Sequence, residues 1–161
     1  MSKFLEDLPR VVLYDWMNAA LGQKLGGGIG RKVFVYGLNP KFVVKVEQQG
    51  FQNVIEWEMW KTVKNTPCAR WFAPAVEISG LGTILLMERT LPAPRAKYPS
   101  RLPEFLGDCK YSNYGLLRGR IVCHDYGLMS LATNGLSKRT RKADWWDAGD
   151  GSSFDDKAKR E

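Results

Sequence analysis

Apolar positions along this chain fall into short periodic blocks separated by turn chemistry. Behind Pro9, the residues Leu13, Trp16, Met17 and Ala20 recur at i, i+3, i+4 and i+7. That spacing predicts a helix with one apolar face, Asp7 as its cap and Gly22 as its stop. A glycine-rich stretch, Lys24–Gly30, follows. Val33–Tyr36 and Phe42–Val46 flank Gly37-Leu-Asn-Pro40 and predict a pair of returning strands. Gln52 to Lys64 contains neither Gly nor Pro, and Ile55, Met59, Trp60 and Val63 predict the apolar face of a second helix, ended by Pro67. Val76–Ser79 and Thr83–Glu88, around Gly80-Leu-Gly82, predict a second hairpin. Leu116-Leu117 and Arg120–Cys123, around Arg118-Gly119, predict a third. The four prolines between Pro92 and Pro103 predict irregular backbone. Beyond Leu136 come a basic run, Lys138–Lys142, then Trp145-Trp146, then a Gly/Ser/Asp/Lys-rich end from Ala148 that reads as disordered.

Composition adds bounds. A chain of 161 residues with 44% hydrophobic content and six tryptophans is expected to fold as one unit, residues 1–147, with 148–161 as a tail. Within that unit the divisions are residues 1–23 (N-terminal helix), 24–90 (strand-rich), 91–136, and 137–147 (basic, Trp-bearing). The net charge of +7 favours acidic partners such as nucleotides, acidic proteins or, through Lys138–Lys142, nucleic acid; a short basic run is more often a solvated face. Cys68, Cys109 and Cys123 form no CxxC pair, and His124 is the sole histidine, which argues against zinc and for reduced thiols. The N-terminus lacks a signal-peptide layout and no apolar run approaches membrane-spanning length, so a cytoplasmic location without membrane partners is expected.

The chemistry-bearing residues come in a telling order. Leu25-Gly-Gly-Gly-Ile-Gly30 can bring backbone N–H groups close to phosphate oxygens. It is not a P-loop, because Arg31 and Val33 flank Lys32 where Gly and Ser/Thr would stand. Lys45 sits within an apolar strand, where an unpaired ammonium is costly. Glu56 borders the apolar stripe of the second helix, whereas Glu58, followed by Lys61 and Thr62, suits an exposed face. Gly107-Asp-Cys-Lys-Tyr-Ser-Asn113 and His124-Asp-Tyr-Gly127 bracket the third hairpin, which would bring Asn113 and Asp125 together as oxygen ligands for Mg²⁺. Each feature alone has a plainer reading: a flexible turn, an edge-strand lysine, a solvated glutamate, a turn aspartate. Trp57, Trp60 and Trp71 read as packing residues, and Cys109 lacks a basic partner that would make it a nucleophile.

From Leu25 to Gly127 the pattern resembles a miniature of the protein-kinase-like fold, small-molecule kinases included. Asp108 and Asn113 have the spacing of H-R-D-L-x-x-x-N, and Asp125-Tyr-Gly127 resembles D-F-G. The resemblance implies an α+β fold: an N-lobe of antiparallel hairpins with one αC-type helix, then a drastically reduced C-lobe. It implies that Lys45 pairs Glu56 and contacts ATP phosphates covered by Gly26, Gly28 and Gly30. Asp108 would orient the acceptor hydroxyl, Lys110 would steady the transferring phosphate, and Asn113 and Asp125 would hold Mg²⁺. Met87-Glu88-Arg89-Thr90 is similar to the hinge whose backbone bonds adenine. Departures exist: Gly30 falls one place early, Leu106-Gly107 replaces His-Arg, and no Ala-Pro-Glu follows. Two functions are expected: γ-phosphate transfer to a protein Ser/Thr hydroxyl, with Ser100, Ser112, Thr140 and Ser152 available in the chain itself, or a pseudokinase-like module gripping a partner protein.

Overall fold

Strand alternation puts one set of apolar side chains on each face of a central sheet, and a separate helix covers each face. The computed structural model describes residues 8–28, 30–127 and 139–147. The tail from Ala148, Ser152 and the Lys138 end of the basic run lie outside the described residues.

The elements are α1 (Arg10–Ala20), β1 (Leu21–Gly27), β2 (Arg31–Tyr36), β3 (Phe42–Glu47), α2 (Gln52–Val63), β4 (Ala75–Ile78), β5 (Ile84–Glu88), β6 (Arg101–Pro103), β7 (Tyr114–Leu117), β8 (Arg120–Cys123) and β9 (Thr140–Lys142). Five of the strands form one antiparallel sheet in the order β1-β2-β3-β5-β4. With α2 between β3 and β4 in the chain, this is the α+β arrangement expected of a kinase-like N-lobe, and the two remaining short strand pairs make the reduced lower part.

Along β3 and β5, Val44, Ile84 and Leu86 point to one face and meet Leu13, Trp16 and Met17 of α1. Val43, Leu85 and Met87 point to the other, where they join Met59 and Val63 of α2 and the lower residues Phe72, Leu102, Phe105, Leu106 and Tyr126. Burial on both faces explains why these strands read as nearly unbroken apolar runs. Gly22, read as the stop of α1, lies inside β1, because the chain passes from Ala20 straight into the sheet.

The face of α2 also departs from the apolar count. Asn53, Glu56, Met59 and Val63 are buried, while Ile55 is 41% exposed. Two polar contacts set this rotation. The Glu47 carboxylate accepts the Gln52 and Asn53 amides (2.7 and 2.9 Å), occupying helix N–H groups that would otherwise lack partners. The Asn53 side chain donates to the Lys45 and Gly82 carbonyls, both at 3.1 Å, stitching the helix to β3 and the β4–β5 turn.

Below the sheet, β7 and β8 form the expected hairpin, and Leu91 and Leu116 exchange backbone bonds that tie it to the end of β5. The proline-rich stretch is irregular apart from a 3₁₀ turn at Arg95–Lys97 and the strand β6, which pairs antiparallel with β9. No local pattern announces that pairing. Among the described residues, no helix is long and apolar enough to cross a membrane.

Candidate functional site

A cleft of about 880 Å³ opens between the sheet and the lower hairpin. Its roof is the β1–β2 turn, its back is Val33, Val43 and Met87, and its floor includes Asn113 and Asp125. The roof glycines divide by role. A Cβ on Gly27 would lie 2.5 Å from the Arg31 carbonyl oxygen of the same hairpin, and one on Gly30 would lie 2.6 Å from that of Gln49 in the β3–α2 turn, so close backbone approach requires both glycines. At Gly26 and Gly28 a Cβ would meet nothing within 4 Å. Those two leave open space above the cleft, as a phosphate cradle requires.

At the back of the cleft, β3 carries Lys45 and α2 carries Glu56. The ammonium donates to Glu56 Oε2 at 2.7 Å and to the His124 carbonyl at 2.5 Å. Both side chains are almost fully buried, so the lysine depends on a carboxylate partner there. Burial pulls the Lys45 pKa down, against the opposing pull of Glu56. Glu56 Oε1 accepts the Tyr126 amide at 3.1 Å, which couples α2 to the Asp-Tyr-Gly segment. Glu58, as expected, faces solvent and pairs with Lys61.

Reading the sequence missed Arg31. Strand alternation places it on the face of β2 shared by Val33, opposite Glu47 and in step with Lys45. Its guanidinium donates to Asp125 Oδ1 at 2.5 Å and lies 3.1 Å from Glu56 Oε1. The second contact is an ion pair without hydrogen-bond alignment: Arg31 NH1 is buried and has no hydrogen-bond partner among the described residues. Two cations and two carboxylates therefore interlock as Lys45, Glu56, Arg31 and Asp125. Burial pushes the Asp125 carboxyl up, yet Lys45 and Arg31 outweigh it and hold it below the usual value.

Asn113 and Asp125 are neighbours, as the intervening hairpin predicts. The Asn113 carbonyl accepts the amides of His124 (2.9 Å) and Asp125 (3.3 Å). Asn113 spends its side-chain N–H on Asp108 Oδ2 at 2.8 Å, so its oxygen is the acceptor it can offer a cation. A hard divalent ion takes six or more oxygens, and Mg²⁺ usually keeps several waters and substrate phosphates. Among the described residues no group of three His, Cys, Asp or Glu side chains converges. The donors present fit a Mg²⁺ held by two protein oxygens, with phosphates and water completing its shell.

Asp108 is exposed, and its Oδ1 accepts the Lys110 amide (3.1 Å) and the Trp146 indole N–H (3.2 Å). The Lys110 ammonium lies 5.6 Å from the Trp146 ring centroid, a cation–π contact. The segment 139–147 thus crosses the Asp108 loop. The Trp146 amide donates to the Cys109 carbonyl (3.2 Å), the Tyr111 amide donates to the Trp146 carbonyl (3.0 Å), and Arg141 donates to the carbonyls of Leu106 (2.7 Å) and Gly107 (2.6 Å). Trp145 is packed against Tyr98, Tyr111 and Tyr114, its N–H bonded to the Pro99 carbonyl at 2.8 Å.

The hinge candidates carry side-chain roles that the sequence did not suggest. The Glu88 carboxylate takes both contacts of the Arg118 guanidinium, at 2.7 and 2.6 Å. Thr90 Oγ1 lies 2.7 Å from His124 Nδ1, while His124 Nε2 lies 2.9 Å from the Ser112 carbonyl. A carbonyl can only accept, so Nε2 carries the proton and neutral Nδ1 accepts from Thr90. Burial, then Lys45, lowers the His124 pKa to about 4, in keeping with that neutral tautomer. The amides of Glu88, Arg89 and Leu91 are donated to the Pro74, Lys41 and Leu116 carbonyls.

No protein-family model matches the sequence, and no curated protein matches it either. Among solved structures, the chain is similar to the streptomycin–ATP ternary complex of APH(2")-IIa, with 15% identity over 53% of this chain and a TM-score of 0.39. It is also similar to the ADP-bound aminoglycoside phosphotransferase APH(2'')-Ib, with 15% identity over 53% of this chain and a TM-score of 0.40. In each case the match spans 30% of the other protein's length.

Proposed function

We propose that the cleft binds ATP with Mg²⁺ and that the chain is a minimal phosphotransferase acting on a protein Ser/Thr hydroxyl. The observation that carries this reading is the convergence of Lys45, Glu56 and Asp125 beneath a glycine hairpin with open space at Gly26 and Gly28. A buried lysine held by a glutamate at the back of the cleft suits phosphate binding, and phosphoryl transfer asks the protein mainly for positioning and charge.

In this reading Val33, Val43 and Met87 enclose the base. The Thr90 amide, which donates to no carbonyl among the described residues, meets its edge near Glu88. Asn113 and Asp125 hold Mg²⁺, which supplies neutralisation of phosphate charge. Asp108 accepts the proton of the incoming hydroxyl, and Lys110 leaves Trp146 to steady the phosphate. Exposed Ser112, on the rim of the cleft, is a self-acceptor within the chain.

Mg²⁺-ATP is expected to raise the melting temperature, since ligand at about 100 Kd adds on the order of 2.7 kcal/mol. Asp125→Ala should abolish the rise, and an unchanged melting curve for the wild type would refute the nucleotide reading. Transfer of labelled γ-phosphate to a protein acceptor, lost in Asp108→Ala, separates catalysis from binding. One observation favours a second reading, a nucleotide-responsive binding module: Trp146 already occupies Asp108. Nucleotide binding without transfer would select it.

A further inference from the structure

The least expected group in the cleft is Arg31, and its bonding is incomplete. A guanidinium offers five N–H donors. Arg31 makes one side-chain hydrogen bond, to Asp125 Oδ1 at 2.5 Å, and its NH1, buried 3.1 Å from Glu56 Oε1, has no hydrogen-bond partner among the described residues. A single hydrogen bond leaves other guanidinium donors able to take a further acceptor. The side chain is only 8% exposed, and the surface it does show lines the cleft beneath the glycine hairpin.

Charge points the same way. Lys45 and Arg31 balance Glu56 and Asp125, so these four groups are neutral as built, and Arg89 and Lys110 on the cleft lining add positive charge. A divalent ion arriving alone would displace Arg31 from Asp125 and leave uncompensated positive charge in a half-buried place, with just two protein oxygens to hold it. A nucleotide phosphate brings both a further acceptor and negative charge that offsets Arg89 and Lys110. Arg, unlike Lys, presents a planar fork that can grip a phosphate while one N–H stays on a carboxylate.

We propose that Arg31 is a phosphate-binding residue that serves as the counter-cation of Asp125 until a nucleotide enters, so that the cleft binds nucleoside di- and triphosphates without a divalent ion. This deepens the nucleotide reading above and rests on it. The order of events is phosphate first, metal with or after it.

Calorimetric titration with ATP and ADP, in EDTA and in Mg²⁺, tests the assignment on the intact chain. Wild type should bind in EDTA within about tenfold of its affinity in Mg²⁺. Arg31→Gln should lose metal-free binding by about tenfold or more while binding Mg²⁺-ATP much less weakly. Arg31→Lys keeps the charge beside Glu56 and Asp125 but lacks the fork, so it should stay folded and recover part of the metal-free affinity. Tight binding in Mg²⁺ with none in EDTA would overturn the Arg31 assignment and spare the nucleotide reading, as would equal metal-free affinity in wild type and Arg31→Gln. No binding in either medium would overturn the nucleotide reading itself, and this proposal with it.

Discussion

The indole N–H of Trp146 donates to Asp108 Oδ1 at 3.2 Å across 38 positions of chain. Among the described residues, Lys110 and Asn113 supply the other two donors to that carboxylate, from its own loop, so Trp146 is the one long-range donor to it there. Trp146→Phe keeps a ring for Lys110 and deletes only the donor. If Asp108 is the base of a transfer reaction, turnover should fall by about threefold to tenfold at unchanged nucleotide affinity. Steady-state kinetics set beside a nucleotide titration separate the two effects. A parallel loss of affinity would mean that the substitution deforms the loop instead of releasing Asp108.

Glu56 and Lys45 are partners, but removing them is not symmetrical. Glu56 serves two cations, Lys45 at 2.7 Å and Arg31 at 3.1 Å, and it also accepts the Tyr126 amide. Lys45→Met still leaves Glu56 beside Arg31. Glu56→Ala leaves two buried cations with only Asp125 between them. Breaking a buried pair from one side costs about 3–5 kcal/mol. Glu56→Ala should sit at or above that range and Lys45→Met below it, as read from chemical denaturation midpoints. The reverse order would mean that Arg31 contributes nothing to holding Glu56.

Residues whose placement follows from local periodicity were legible in the sequence. Lys45 is inside a strand of period two, Glu56 on a helix beside an apolar stripe, and Asn113 and Asp125 at the ends of one hairpin. What failed was whatever depends on partners far along the chain. Ile55 outranks Asn53 in hydrophobicity, yet Asn53 is buried because the carbonyls of Lys45 and Gly82 receive its amide. Arg31 looks like one more charge beside Lys32 until β2 is registered against β3. The β6–β9 pair and the crossing of Trp146 over Asp108 join segments nearly forty residues apart, through stretches too short and too polar to read as strands. The glycine hairpin was half legible: the spacing drew the eye to Gly26, Gly28 and Gly30, but Gly27 and Gly30 are the positions where the backbone excludes a side chain.

His124 should make metal-free protein sensitive to acid. Its pKa falls from 6.5 to about 4 on folding, so the native state excludes a proton that the unfolded chain accepts. Where the unfolded state binds more protons, stability rises with pH. Stability should therefore decline as pH drops from about 6.5 towards about 4, and this contribution is gone below that. Denaturant midpoints measured across the interval in EDTA should show the decline, and His124→Asn should flatten it. A wild-type midpoint constant over the whole interval would contradict the neutral tautomer bonded to Thr90 and Ser112.

Gly115 tests how closely the lower hairpin approaches the hinge. It is buried in β7, and a Cβ there would lie 2.6 Å from Thr90 Oγ1, 2.7 Å from Thr90 Cβ and 2.9 Å from the Leu91 carbonyl oxygen. Two of those atoms belong to stiff parts of the chain, a β-branched carbon and a backbone carbonyl, so relief requires the hinge to move. Gly115→Ala should cost about 1–3 kcal/mol through overpacking. It should also weaken nucleotide binding, because the displaced Thr90 carries both the amide proposed to meet the base and the hydroxyl that orients His124. Thr90→Ala in the same background removes the clashing Oγ1, and with it part of the crowding, while keeping the Thr90 amide. It should restore some stability and affinity together, as measured by melting temperature with and without Mg²⁺-ATP. Recovery of stability with no recovery of affinity would place the base away from Thr90.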